Sequence, residues 1–272
     1  MPSSDRGIAL GEILAAGIDW ATEDEHRAMV VLGGCGGRAC LREIRSPLTK
    51  EDVRGVCSDS KYSVVGVDVP FGWPKQFSDF VQPWSPAGSG GEAVPESEVF
   101  RFRKTDLIVR DELRKRPLSI SSDRIALSAR LWAEIVLKNN LGPHIDTRGL
   151  PAASSPTVIE VYPAATLRAF ADQVNDKHYK REKDARVCLI KALVRDFKLN
   201  VTAKQKARVV GEREKDSDIT DALIAALTGL IYGGCFPQWT VRKPQSDAER
   251  EAAVKEGWIF FPVKVGAATA KT

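Results

Sequence analysis

The chain is short of the residues from which most structural metal sites and disulfide frameworks are built. It has three histidines and five cysteines in 272 residues. The cysteines (Cys35, Cys40, Cys57, Cys188 and Cys235) are odd in number and include no Cys-x-x-Cys pair. That argues against both a disulfide scaffold and a structural zinc site. Long hydrophobic runs are also missing. A membrane span needs about eighteen or more apolar residues, and the best stretch, Ile219 to Tyr232, is shorter and contains Asp221. The first residues, Met-Pro-Ser-Ser-Asp-Arg, lack an apolar signal core, so the expectation is a cytoplasmic protein with no membrane contact. Nor does one charge dominate. A formal net charge of +4 is compatible with a polyanionic partner without identifying one. What remains, 43% hydrophobic and 28% charged, is ordinary globular composition. The length suits a single domain, one core with a large insertion.

Local pattern predicts the order strand, strand, strand, helix, strand. A first strand ends at Ala15-Ala-Gly-Ile-Asp-Trp20. Two runs, 27–32 and 38–44, flank the Gly33-Gly-Cys-Gly-Gly37 turn as a hairpin. Thr49, followed by Glu51 and Asp52, caps a short helix. Ser63-Val-Val-Gly-Val-Asp-Val69 is nearly all apolar, as in a strand covered on both faces. The region of about 70–156 then breaks the rhythm and reads as an insertion between core segments of about 12–69 and 157–262. Proline and glycine make 70–97 irregular, and helices are expected at about 103–116 and 122–140, the second capped by Ser122. Regular structure resumes with a strand at Thr157-Val-Ile-Glu-Val-Tyr162. Helices follow at 163–171, 180–198, 202–211 and 218–232, and a strand-like patch at 258–261 precedes a small-residue tail.

Acids stand where folding alone disfavours them. Asp19 and Asp68 end strands, Glu160 interrupts the apolar run Val158-Ile-Glu-Val-Tyr162, and Asp218 and Asp221 lie three apart on one helical face. A buried ionised acid is costly unless it is paired or binds metal. If the first and fourth strands are parallel neighbours, Asp19 and Asp68 emerge at the same carboxyl edge, where open α/β sheets bind ligands. The last helix carries a stripe of Ala222, Ala225 and Gly229 beside its acids, which would let it approach the sheet closely. An all-oxygen pocket of this kind suits Mg²⁺ or Mn²⁺ and not zinc. Two such ions can activate water and stabilise the leaving oxygen of a phosphodiester.

These motifs, Gly17-Ile-Asp-Trp-Ala21, Val65-Gly-Val-Asp-Val-Pro-Phe-Gly72, Arg103-Lys-Thr-Asp106, Ile159-Glu-Val-Tyr-Pro163 and Asp218-Ile-Thr-Asp-Ala-Leu223, together resemble the domain-of-unknown-function family numbered 429 (DUF429). Its members are described as predicted nucleases of the ribonuclease H-like superfamily. The resemblance implies an α/β fold with a mixed five-stranded sheet, three antiparallel strands followed by parallel ones, and flanking helices. It further implies an acidic centre of Asp19, Asp68, Glu160 and one of Asp218 or Asp221, acting on nucleic acid. Arg103 and Arg110 are candidates for holding a substrate phosphate, or else belong to a solvated helix paired with Asp106, Asp111 or Glu112. Phe71, Trp73 and Trp84 either stack on bases or anchor their loop. The basic stretches 177–183 and 204–208 matter to function only if they border the acids. Two other readings are open: a non-catalytic nucleic-acid- or protein-binding module, and an actin- or sugar-kinase-like phosphotransferase. The latter lacks a glycine- and hydroxyl-rich turn after Asp19. Oligomeric state is not legible.

Overall fold

The computed structural model describes residues 11–84, 94–120, 123–152, 155–170, 178–212 and 216–266. Strand β1 (Ile13–Asp19), β2 (Ala28–Cys35) and β3 (Arg38–Arg45) form an antiparallel meander. The hairpin turn is shorter than the glycine run suggests. Gly33 and Gly34 belong to β2, and only Gly36 and Gly37 turn, both at positive φ, the backbone of a two-residue turn matched to strand twist. Helix α1 (Lys50–Ser58) begins at Thr49, whose hydroxyl accepts from Asp52 N–H while Asp52 accepts from Thr49 N–H. Strand β4 (Val64–Asp68) then lies parallel to β1.

Short helices α2 (Lys75–Val81) and α3 (Ser97–Arg101) fall in the stretch whose prolines predict irregular backbone. Helices α4 (Lys104–Leu113) and α5 (Asp123–Lys138) follow, and the expected cap Ser122 lies outside the described residues. Then come β5 (Ile145–Asp146), β6 (Thr157–Val161), α6 (Pro163–Ala169), α7 (Lys183–Asp196) and β7 (Leu199–Asn200). Helices α8 (Ala203–Val210) and α9 (Ser217–Tyr232) precede β8 (Trp239–Val241), α10 (Asp247–Glu256), β9 (Ile259–Phe260) and β10 (Pro262–Lys264).

The main sheet runs β5-β6-β4-β1-β2-β3-β7, with β9 also paired to β6, and is mostly parallel. Among the described residues it therefore has eight strands, not the expected five. The additions β5, β7 and β9 have two residues each, too few to show a period of two. A separate antiparallel pair joins β8 and β10.

Strand alternation sorts the core into two faces. Ala15, Val30, Leu32, Val64 and Ile159 pack with α6, α7, α8 and α9. Their neighbours Ala16, Ile18, Met29, Val31, Val65, Val67 and Val158 pack with Val53 and Val56 of α1 and Trp132 and Ile135 of α5. Helix α5 lies in the stretch expected as an insertion, yet it covers part of a sheet face. Trp20 Nε1, one residue beyond β1, donates to Ser128 O at 3.1 Å and ties that helix to the strand end. Among the described residues, no helix is long and apolar enough to cross a membrane.

Candidate metal centre

A Gly-x-Asp pattern occurs twice, at Gly17-Ile-Asp19 and Gly66-Val-Asp68, and the two copies are in register: Gly17 pairs with Gly66 and Asp19 with Asp68. Residues two apart share a face, so the aspartates point the way the glycines do. That is the α9 side. A Cβ on Gly17 would collide with Ala222 O and Ala226 N of α9, and one on Gly66 would lie 2.8 Å from Ala225 O. Only glycine lets the small-residue stripe of α9 rest on the two strands, and this close approach carries Asp221 to the strand ends. One carboxylate oxygen each of Asp19, Asp68 and Asp221 lie within 4.8 Å of one another.

Asp221 is buried, and its neighbours come from the segment before α7. Tyr179 Oη donates to Asp221 Oδ1 at 2.6 Å, and Lys180 Nζ lies 2.7 Å from Oδ2. That segment is pinned by the buried Arg186, which donates to the carbonyls of Tyr179 and Val210. The N-terminus of α9 is held by Thr220 Oγ1, donating to Val209 O at 2.9 Å. Asp221 is thus fixed from two sides, whereas Asp19 and Asp68 are partly open to solvent.

Three carboxylates share one lysine here, and the electrostatics follow. Burial, then the charges of Asp221, Asp68 and Asp218, raise Asp19 well above the usual carboxylate range. Burial, then Asp221, lifts Asp68 to about 8. Burial opposes the charge on Lys180, but Asp221 and Asp68 outweigh it and hold its ammonium above the ordinary value. Without a further cation, part of this cluster stays protonated at neutral pH. Its donors are all carboxylate oxygens, which fits a hard divalent cation, whose ligand oxygens lie about 2.0–2.6 Å from the ion.

The other anticipated residues are placed elsewhere. Glu160 pairs in register with Val67, not Asp68, so it is one residue out of phase and projects to the opposite face of the sheet. There it accepts from Phe71 N at 3.0 Å and from both terminal nitrogens of Arg103 at 2.9 and 2.7 Å. It is thus not among the three acids that converge, although its charge contributes to raising Asp68. Arg103 is committed within the protein as well. Its guanidinium is buried and makes five donations, two to Glu160, two to Asp106 and one to Glu256 O. A guanidinium has five N–H groups, so none is left for a phosphate. Arg110 is spent on Glu98 and Asp111 at the surface. Phe71 stacks on Trp132 at 5.1 Å, anchoring its loop.

Asp218 stands beside the cluster, its carboxylate 3.5 Å from His26 Nδ1. Of the two helix acids, Asp221 therefore makes the close contacts with Asp19 and Asp68. Tyr179, Lys180 and His26 were not singled out by sequence. The only signal was that 177–183 is basic; Lys177 itself lies outside the described residues.

A family model described as "Protein of unknown function (DUF429)" matches residues 17–240. No curated protein matches the chain significantly. No solved structure does so either.

Proposed function

The chain belongs to the DUF429 family, and on that footing we propose that it is a metal-dependent nuclease of the ribonuclease H-like kind. The observation that carries this reading is the meeting of Asp19, Asp68 and Asp221 within 4.8 Å at the carboxyl edge of two parallel strands. The strand order β3-β2-β1-β4-β6, antiparallel on one side of β1 and parallel on the other, supports the superfamily assignment.

In this reading Asp19, Asp68 and Asp221 hold Mg²⁺ or Mn²⁺, with Asp218 flanking. When bound, the ion would lower the pKa of a water and offset charge on the leaving oxygen. Tyr179 fixes the rotamer of Asp221 through its hydroxyl. Lys180, half exposed at the rim, faces the position where an incoming phosphodiester brings negative charge. The arrangement needs no nucleophilic side chain, and nucleic acid is the substrate class it suits.

The test is calorimetric titration of Mn²⁺ into wild type and Asp19→Asn, with labelled single- and double-stranded DNA and RNA assayed for cleavage on the same samples. Metal binding and cleavage that both collapse in the variant support the proposal. A wild type that neither binds Mn²⁺ nor cuts overturns it and favours a non-catalytic binding module.

A further inference from the structure

At the other end of β1, on the sheet face opposite the three aspartates, lies a depression of about 400 Å³. It is lined by Gly33 and Cys35 of β2, Arg38, Cys40 and Arg42 of β3, Lys198 and Asn200 around β7, and Glu12. Three cations and one amide thus face a single carboxylate.

Three features of the backbone build this ring. The β2–β3 register pairs Leu32 with Leu41 and Val31 with Glu43, so Arg42 is the extra residue of a β-bulge, a device that re-aims a side chain. Gly33 lies beneath it: a Cβ there would collide with Glu12 Oε1 and sit 2.8 Å from Arg42 Nε. The Arg42–Glu12 pair, 2.5 Å apart, can therefore lie flat and form a wall. Lys198, which directly follows the C-cap of α7, has φ +47, the left-handed turn with which helices commonly end, and the chain then enters β7 with Asn200 on the same rim. Among the described residues, the Arg38 and Lys198 side chains have no hydrogen-bonding or ionic partner.

We infer that this depression binds a small phosphate-bearing anion of up to nucleotide size, held by Arg38 and Lys198 with Arg42 and Asn200 beside them. The volume lies in the range of small-molecule sites, and guanidinium is the side chain best matched to phosphate. Seven residues of β1 set the site roughly 20 Å along the strand from Asp19, so it is independent of the acidic centre.

Cys35 and Cys40 line the depression, and Cys188 is exposed on α7 away from it. The full chain, stripped of metal with chelator, is alkylated with iodoacetamide at constant ionic strength, and each cysteine is followed by peptide mass spectrometry. Inorganic phosphate and pyrophosphate are the probes. At twice the dissociation constant, Cys35 modification is expected to slow about threefold, since only the free fraction reacts, while Cys188 is unaffected. The Arg38→Gln/Lys198→Gln double variant loses the protection and Arg38→Lys/Lys198→Arg retains it. A Cys35 rate that ignores both anions, or protection undiminished in the glutamine variant, overturns the inference. Protection by a single-stranded oligonucleotide but by neither small anion also overturns it, in favour of a polymer-binding face.

Discussion

The acids gathered beneath α9 and those gathered around Arg103 are balanced in opposite ways. Around Arg103, Asp106, Glu160 and Glu256 are all buried and all answered by the protein. Arg103 takes up the first two, and the Glu256 carboxylate accepts Lys75 N and Lys104 N, both at 2.7 Å, capping α2 and α4 at once, where the helix dipole favours an anion. On the α9 side, Asp19, Asp68 and Asp221 receive one tyrosine hydroxyl and one half-exposed lysine. A carboxylate in an apolar strand is part of a closed structural node at Glu160 and an open demand for positive charge at Asp19 and Asp68. Burial of an acid is therefore no guide to its role until its partners are counted.

Removing Arg103 should have the largest effect. Arg103→Met strands two buried carboxylates, and urea denaturation is expected to show a loss of about 3–5 kcal/mol. Arg103→Lys should rescue only part of it, because an ammonium has three donors and no planar fork. Mn²⁺ affinity of the folded fraction should hardly change. If it falls as far as in Asp19→Asn, the two groups are one site and the contrast fails.

Asp221→Asn is expected to weaken Mn²⁺ binding by more than about a hundredfold, beyond the 10- to 100-fold typical of groups that merely support a ligand. It should also stabilise the metal-free fold, since a like charge leaves the cluster. A destabilised Asp221→Asn would place it with Glu160 as a structural acid.

The open cluster should also make stability depend on pH. Asp68 is raised to about 8 in the folded protein, against about 3.9 for a free aspartate. Below the unfolded value the carboxyl is protonated in both states, and its burial costs little. As pH rises from there through the folded value, the unfolded chain ionises first, so stability is lost. The melting temperature of metal-free protein should therefore fall between about pH 5 and 8, less steeply in Asp68→Asn. Saturating Mn²⁺ should flatten the slope.

Lys180→Met is the mildest change. Lys180 is more than half exposed, so its loss should tighten Mn²⁺ binding only roughly two- to fivefold, the scale of a solvent-screened pair. Weakened binding would mean that the lysine chiefly positions Asp221.

Much of the fold was legible in local pattern. The meander, α1 with its Thr49 cap, and β4, β6 and α6 to α9 all follow from periodicity and capping residues close in sequence. Helix α10 did not show. Asp247-Ala-Glu-Arg-Glu-Ala-Ala-Val-Lys-Glu256 is predominantly polar and buries only Ala253 and Glu256, leaving almost no apolar stripe to read.

Local sequence dictated which acids sit in apolar strands and that the Gly-x-Asp spacing puts each aspartate on the face of its glycine. It also determined that α9 carries small residues beside its acids, because side-chain direction within one element depends only on the local backbone period. It took long-range packing to join Asp221 to Asp19 and Asp68, to turn Glu160 away to Arg103, and to bring Lys180 to the cluster. Those outcomes depend on register between strands and on packing across 40 to 200 residues of chain, set by the whole core at once. A shift of one residue in the β4–β6 register would exchange the faces of Glu160 and its neighbours.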